Sequence, residues 1–275
     1  MKYLTLFLTE LCNRKCPYCD IGNMKERKNI NEDLLNEFLP LIADSKWESI
    51  VLTGGEPTLI GEELLSKILI TLKDKYVKIN TNGELFWKKL FVKYDEYIDK
   101  VQYHPVSEIN QTFVKIDDPK VIHYFPLHHK NVKYLKKFLE YMNKLPVMFT
   151  PYDDKIGDDS YNLTKEDCKE IYDLISKTNN VTEDTVELFR LLSINPGLDL
   201  IRNFCFNNMV TYPSIDFVNG RIDKCIRSHT RSDWKPLTVD NFHNIKNLWF
   251  DDNKVCKECC LFLRDRKDII KEMIC

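Results

Sequence analysis

Three cysteines within eight residues, Cys12, Cys16 and Cys19, carry the most legible chemistry of this sequence. Thiolates at C-x3-C-x2-C on one loop can hold three irons of a cubane 4Fe-4S cluster and leave the fourth iron open to another molecule. The competing chemistry is three of the four ligands of a structural zinc, the last coming from elsewhere. After the apolar run Ser49 to Thr53 comes Gly54-Gly55-Glu56-Pro57. Two glycines let the backbone come close to a ligand, and the Glu56 carboxylate can accept from an ammonium group.

A second constellation lies near the end of the chain. Cys205 and Cys225 are spaced C-x14-G-x4-C around Gly220, and Cys256-Lys257-Glu258-Cys259-Cys260 follows after a gap. The strand-like run Val210 to Val218, the Asn219-Gly220 turn signal and the return Arg221 to Ile226 read as a hairpin. A hairpin and a C-x2-C knuckle bring four thiolates to one point, which suits a closed 4Fe-4S cluster or a zinc ribbon. Cys168 falls within an amphipathic helical pattern and reads as packing. His104, His128 and His129 fall at or near the ends of expected strands, where a proton acceptor could sit; each also has the plainer reading of a hydrogen-bonded structural histidine.

The elements that position these groups follow from apolar periodicity. Strands are expected at Tyr3 to Thr9, Ser49 to Thr53, Tyr76 to Thr81, Ile98 to His104, Val121 to Phe125 and Val147 to Thr150. Between them run helical stripes. Asn31 caps a helix bearing Leu34, Leu35, Phe38, Leu41 and Ile42, which Pro40 should kink or end. Others are expected from Glu62 to Lys73, over Leu85, Phe86 and Leu90, and between Asn131 and Lys144. Six βα repeats imply an α/β fold with a parallel sheet wrapped as a partial (β/α)6 TIM-like barrel, whose ligands sit at the carboxyl ends of strands. Both early motifs fall at such ends. Tyr152 to Asn162 reads as an exposed acidic loop, and helices follow at Thr164 to Lys177 and Thr182 to Leu192, before Asn195-Pro196-Gly197 breaks the pattern. The domains expected are 1–150, a helical linker 151–200, and a small cysteine-rich domain 201–275.

Bulk properties narrow the class. Forty basic and 42 acidic side chains leave a formal charge of −2 on 275 residues, so no nucleic-acid partner is called for. No apolar run approaches a membrane span, and Met1-Lys2 leads directly into a strand pattern, so a cytoplasmic, soluble protein is expected. Ten cysteines in such a chain point to metal ligation rather than a disulfide framework.

Cys12, Cys16 and Cys19, with Tyr18 before the last of them, followed by Gly54-Gly55-Glu56-Pro57, resemble the motifs of the radical SAM superfamily. That resemblance implies a 4Fe-4S cluster on the three cysteines and S-adenosyl-L-methionine held at its amino end by the Gly-Gly-Glu-Pro segment. It also implies an electron donor such as flavodoxin or ferredoxin. Asn80-Thr81-Asn82-Gly83 looks like the segment ending the third strand in many members, which would bring Thr81 and Asn82 near the cofactor; locally it reads equally well as a turn. The late cysteines resemble the SPASM and Twitch extensions. A full SPASM domain would need further spaced cysteines, so the shorter Twitch form with one auxiliary 4Fe-4S cluster is the better match, on Cys205, Cys225, Cys256 and Cys259, with Cys260 as alternative last ligand. Cys260 is also a candidate hydrogen-atom donor to a substrate radical, although an unused neighbour of a ligand is the simpler reading. The activity implied is reductive cleavage of S-adenosylmethionine to a 5'-deoxyadenosyl radical that abstracts a substrate hydrogen. The substrate would be a peptide or protein side chain or, alternatively, a small polyol or amino sugar. A non-catalytic iron-sulfur or zinc binding protein is the reading from another class.

Overall fold

The structure, a computed structural model, describes residues 3–16, 19, 21, 24–84, 91–106, 108–151, 159–194, 213–223 and 234–244. The chain divides into two compact units, Met1–His104 with Thr211–Asp252, and Pro105–Val210 with Asn253–Cys275.

In the first unit, strands β1 (Tyr3–Phe7), β2 (Ser49–Thr53), β3 (Tyr76–Thr81) and β4 (Lys100–Tyr103) pair in parallel in that order. The register aligns Leu6 with Leu52, Leu52 with Ile79, and Ile79 with Val101. Alternation therefore places Leu4, Leu6, Ile50, Leu52, Val77, Ile79 and Val101 on one face, and none of them is exposed. Each such side chain contributes roughly 1.5–3 kcal/mol of burial. Helices α1 (Glu32–Ala43) and α2 (Glu62–Thr71), carried in the crossovers, bury the stripes Leu35, Phe38, Leu39, Ile42 and Leu65, Ile68, Leu69. Asn31 caps α1 as expected, its Oδ1 accepting from the N–H groups of Asp33 and Leu34. Pro40 does not end the helix, which continues to Ala43. The proline lies on the exposed side, where the carbonyl it leaves without a helical donor can be hydrated. A short helix α3 (Phe91–Tyr94) precedes β4, while the expected helix over Leu85, Phe86 and Leu90 lies outside the described residues.

The other side of β1 is occupied by a strand from late in the sequence. β7 (Ser214–Asp216) pairs parallel with β1, and β8 (Arg221–Asp223) and β9 (Lys235–Pro236) continue antiparallel beyond it. Thr5 N–H donates to the Pro213 carbonyl at 2.8 Å and Phe217 N–H to the Phe7 carbonyl at 3.0 Å. The Asn-Gly turn differs from the expected two-residue hairpin. Four residues, 217–220, connect the strands; the Asp216 carboxylate accepts from the N–H groups of Val218 and Asn219, and only Gly220 there takes positive φ, at 62°. Helix α7 (Val239–His243) closes the described part of this unit, with Phe242 edge-on to Phe38 at 6.1 Å.

The second unit carries the parallel pair β5 (Val121–Leu127) and β6 (Val147–Pro151), and helices α4 (Leu135–Met142), α5 (Lys165–Ile175) and α6 (Glu183–Ile194). Thr164 and Asp167 form a capping box that starts α5. The core gathers Phe125, Phe138 and Phe149 with Ile171, Ile175 and Phe189, and Phe125 meets Phe138 edge-to-face at 4.4 Å. Cys168 belongs to this core; burial pushes its thiol up to about 12, so it is packing, as its helical position implied. A strict six-fold βα alternation is not found, because the described link between β4 and β5 holds turns and no helix. Its sequence, with Pro105, Asn110, Asp117, Asp118 and Pro119, lacks a helical stripe, and it anchors instead by Ile109 and Phe113 against the aromatic core. Cys205, Cys225, Cys256, Cys259 and Cys260 lie outside the described residues, as does most of the acidic loop after Pro151.

Candidate metal and cofactor site

The loop that leaves β1 is built by contacts on both of its flanks. On one side the returning segment 27–30 closes it. Glu10 N–H donates to the Lys28 carbonyl at 2.9 Å, Lys28 N–H returns to Glu10 Oε2 at 3.1 Å, and Arg27 Nη1 donates to the Cys12 carbonyl at 2.6 Å. Thr9, fully buried, accepts from Leu11 N–H and donates to Asn29 Oδ1. On the other side lies the Gly54-Gly55 turn. Gly55 N–H donates to the Thr9 carbonyl at 2.6 Å and Glu56 N–H to the Leu11 carbonyl at 2.7 Å. A Cβ on Gly55 would stand 2.2 Å from the Leu11 oxygen, and one on Gly54, whose φ is +143°, would stand 2.5 Å from the Thr9 oxygen. Both glycines are thus demanded by the approach of this turn to the cysteine loop.

Cys12, Cys16 and Cys19 all lie on that loop and are partly buried. Cys19 N–H donates to the Cys16 carbonyl at 3.1 Å, and Cys12 Sγ accepts from Arg14 N–H at 3.4 Å. Burial raises the Cys12 thiol above its ordinary value; the Glu56 and Cys19 charges push the same way, against the Arg14 amide and Arg27. Among the described residues no three His, Cys, Asp or Glu side chains are arranged around a common point as a metal site. The donor set fits an iron-sulfur cluster by its chemistry and by its place at a strand's carboxyl end. Uptake of metal has to draw the sulfurs together and displace thiol protons.

Glu56 is 1% exposed and is the hub of the neighbouring network. Its Oε1 accepts from Thr58 N–H and from the hydroxyls of Thr58 and Thr81, and its Oε2 from Asn82 N–H at 2.7 Å. Burial nonetheless holds its carboxyl above the usual carboxylate range. Four donors of the chain itself meet this carboxylate, three at Oε1 and one at Oε2, so its main described task is to bind the end of β2 to the end of β3. Pro57 opens the 3-10 turn that Glu56 caps. Asn82 is engaged throughout. Its Nδ2 donates to Asn13 Oδ1 at 2.7 Å, its Oδ1 accepts from Glu84 N–H, and its carbonyl accepts from Arg14 Nη2. Thr81 accepts from Gly83 N–H. Tyr18 lies outside the described residues.

Residues 6–147 match the model of the radical SAM superfamily. The chain belongs to the radical SAM superfamily. A Methanocaldococcus jannaschii protein bearing the name of a glycyl-radical enzyme activating enzyme is 30% identical over 142 residues, covering 50% of this chain and 51% of that protein. The chain therefore spans about half the length of that relative. Among solved structures, anSMEcpe with bound AdoMet matches with a TM-score of 0.64 at 15% identity, covering 96% of this chain and 87% of that one. The same protein with AdoMet and the Cp18Cys peptide gives 0.58 at 16% identity, over 95% and 86%. Streptococcus suis SuiB bound to S-adenosylmethionine gives 0.57 at 16% identity, over 91% and 66%. At these identities the likeness establishes the fold, the parallel-dominated α/β class of the radical SAM partial barrels.

The three histidines read as candidate proton acceptors sit in different surroundings, and His129 pairs through Nδ1 with Asp167 Oδ2 at 2.8 Å. His104 continues the β4 ladder, its N–H donating to the Thr81 carbonyl, and its Nε2 lies 3.2 Å from Gln102 Nε2. His128, at the end of β5, is 1% exposed; its Nε2 lies 3.2 Å from Glu108 Oε2 and its ring meets Tyr161 edge-on at 4.9 Å. The accessible member of that pair is Glu108, 23% exposed, which nothing in the sequence singles out. Arg14, Asn13, Glu84 and Glu10 were also missed. The one available signal was a cation, Arg14, between two candidate ligands.

Proposed function

We propose that the chain is a radical SAM oxidoreductase or maturase that modifies a peptide or protein side chain by oxidation, crosslinking or epimerisation. The observation that carries this is Cys12, Cys16 and Cys19 on the loop after β1, locked against the Gly54-Gly55 turn, within the family-matched region. The peptide-bound state of the anSMEcpe neighbour favours a peptide over a polyol or amino sugar. Cys12, Cys16 and Cys19 would hold a 4Fe-4S cluster, which supplies the electron for reductive cleavage of S-adenosylmethionine to a 5'-deoxyadenosyl radical. The chain's own part is placement. Gly54 and Gly55 bring backbone polar groups to the loop, Pro57 starts the turn behind them, and Thr81 and Asn82 fix Glu56. That carboxylate is suited to face the methionyl ammonium through Oε2, the oxygen with one described donor. Glu108, backed by His128, or His104 would accept the substrate proton.

Residues 201–275 would form a Twitch-like domain, after a barrel 1–150 and a linker 151–200, with Cys205, Cys225, Cys256 and Cys259 holding the auxiliary cluster. Cys260 is left as alternative ligand or hydrogen donor. A flavodoxin or ferredoxin would deliver the electron, in the cytoplasm.

Anaerobic reconstitution tests these assignments. Wild-type protein should form 5'-deoxyadenosine on reduction with S-adenosylmethionine, and Cys12→Ala, Cys16→Ala or Cys19→Ala should abolish it. Cys225→Ala should halve iron from about eight to about four per chain. An iron-loaded wild type that never forms 5'-deoxyadenosine would favour the binding-protein reading. Transfer of deuterium from labelled peptides or labelled polyols into 5'-deoxyadenosine separates the two substrate classes.

A further inference from the structure

The cysteine loop has an outer anchor that its ligand spacing does not suggest. Arg14 stands between Cys12 and Cys16, and its side chain is 16% exposed. Three different nitrogens of its guanidinium are engaged: Nε with Glu84 Oε1 at 3.2 Å, Nη1 with the His104 carbonyl at 2.7 Å, and Nη2 with the Asn82 carbonyl at 3.2 Å. Asn13 adds a second tie, donating from Nδ2 to Glu84 Oε2 and accepting from Asn82 Nδ2. The carbonyls belong to the ends of β3 and β4, whereas the loop springs from β1. At about 4.8 Å per strand the loop crosses β2 and reaches some 10–14 Å along the sheet's end. The Gly54-Gly55 contacts hold its near part, and Arg14 holds its far part.

We propose that Arg14 is the positioning residue of the cysteine loop, clamping it onto the ends of β3 and β4 so that the backbone carrying the three cysteines is held in place before metal draws their sulfurs together. This rests on the assignment of the cluster to Cys12, Cys16 and Cys19. The fork geometry is the point. A guanidinium can serve two carbonyls and a carboxylate at once, and an ammonium cannot hold all three directions. Glu84 is half exposed, so its ion pair is screened and the two carbonyl bonds carry the clamp.

The test uses the full chain as Arg14→Ala, Arg14→Lys and Glu84→Gln. Hydrogen exchange of amides 11–16 is read in the iron-free protein; iron per chain and the spectrum of the reduced cluster, with and without S-adenosylmethionine, are read after anaerobic reconstitution. In R14A, loop exchange should rise about tenfold or more while the β1–β3 core amides keep their protection. Iron should fall to less than about half of wild type, and the S-adenosylmethionine-induced spectral change should be lost. R14K should fall between, and E84Q should stay near wild type. If R14A does not fold, R14K against E84Q carries the same comparison. R14A with wild-type loop exchange and iron, or full rescue by R14K, would overturn the clamp, the latter by showing that charge alone suffices. Iron-free wild type after reconstitution would instead overturn the cluster assignment.

Discussion

Glu56 shows how a residue chosen for ligand chemistry can be committed to the scaffold. Glu56→Gln keeps the shape but turns an NH2 toward donors on one side of the group, so we expect a loss of about 1–3 kcal/mol in denaturant unfolding. His123 offers a pH test. It is fully buried in β5, its Nε2 accepting from Ile116 N–H, and burial, aided by Lys115, lowers its pKa from 6.5 to about 4. A depressed folded value means the neutral ring stabilises the fold fully above pH 6.5. That contribution, about 3 kcal/mol, is lost progressively as pH falls from 6.5 to about 4. Unfolding free energies measured across that window should slope in wild type and lose that component of the slope in His123→Gln. The ligand-type residues were legible from spacing because thiols and glycines have few competing uses. Their partners were not: Asn13, Glu84 and Glu108 acquire meaning only from neighbours up to about seventy positions away, as with Arg14 and Glu84.

The Gly54-Gly55 turn and the cysteine loop behave as one element. Gly55→Ala forces a methyl into the Leu11 carbonyl, so we expect more than about 2 kcal/mol of destabilisation and poor iron loading, read together from thermal melts and iron content. Loss of the α1 cap in Asn31→Ala should cost about 1 kcal/mol and leave iron content unchanged. Local signals predicted these elements well. Asn31 capped its helix, the Asn-Gly pair marked a turn, and the strands before both motifs were found within a residue or two. The errors have local causes as well. A proline on a solvated face did not stop α1, and the link after β4 lacked the stripe that a helix needs, so alternation alone overstated its regularity.

For the whole molecule, the fold class was legible because parallel strands buried on one face alternate with amphipathic helices, and that pattern survives in composition. Strand order was not, since pairing is decided between distant segments. The pairing of β7 with β1 is the clearest instance. Glu10 fastens it further, its Oε1 accepting from Asn219 Nδ2 at 3.2 Å. β1 is an interior strand only because residues 213–223 return to flank it. A fragment stopped near residue 200 would present a raw row of amide and carbonyl groups beside its cysteines, a template for any passing strand. Such a fragment should elute from gel filtration as self-associated species, and adding back a synthetic 211–224 peptide should shrink them. The 213–223 segment is, in that sense, a built-in stopper against polymerisation of the half that carries the first three cysteines.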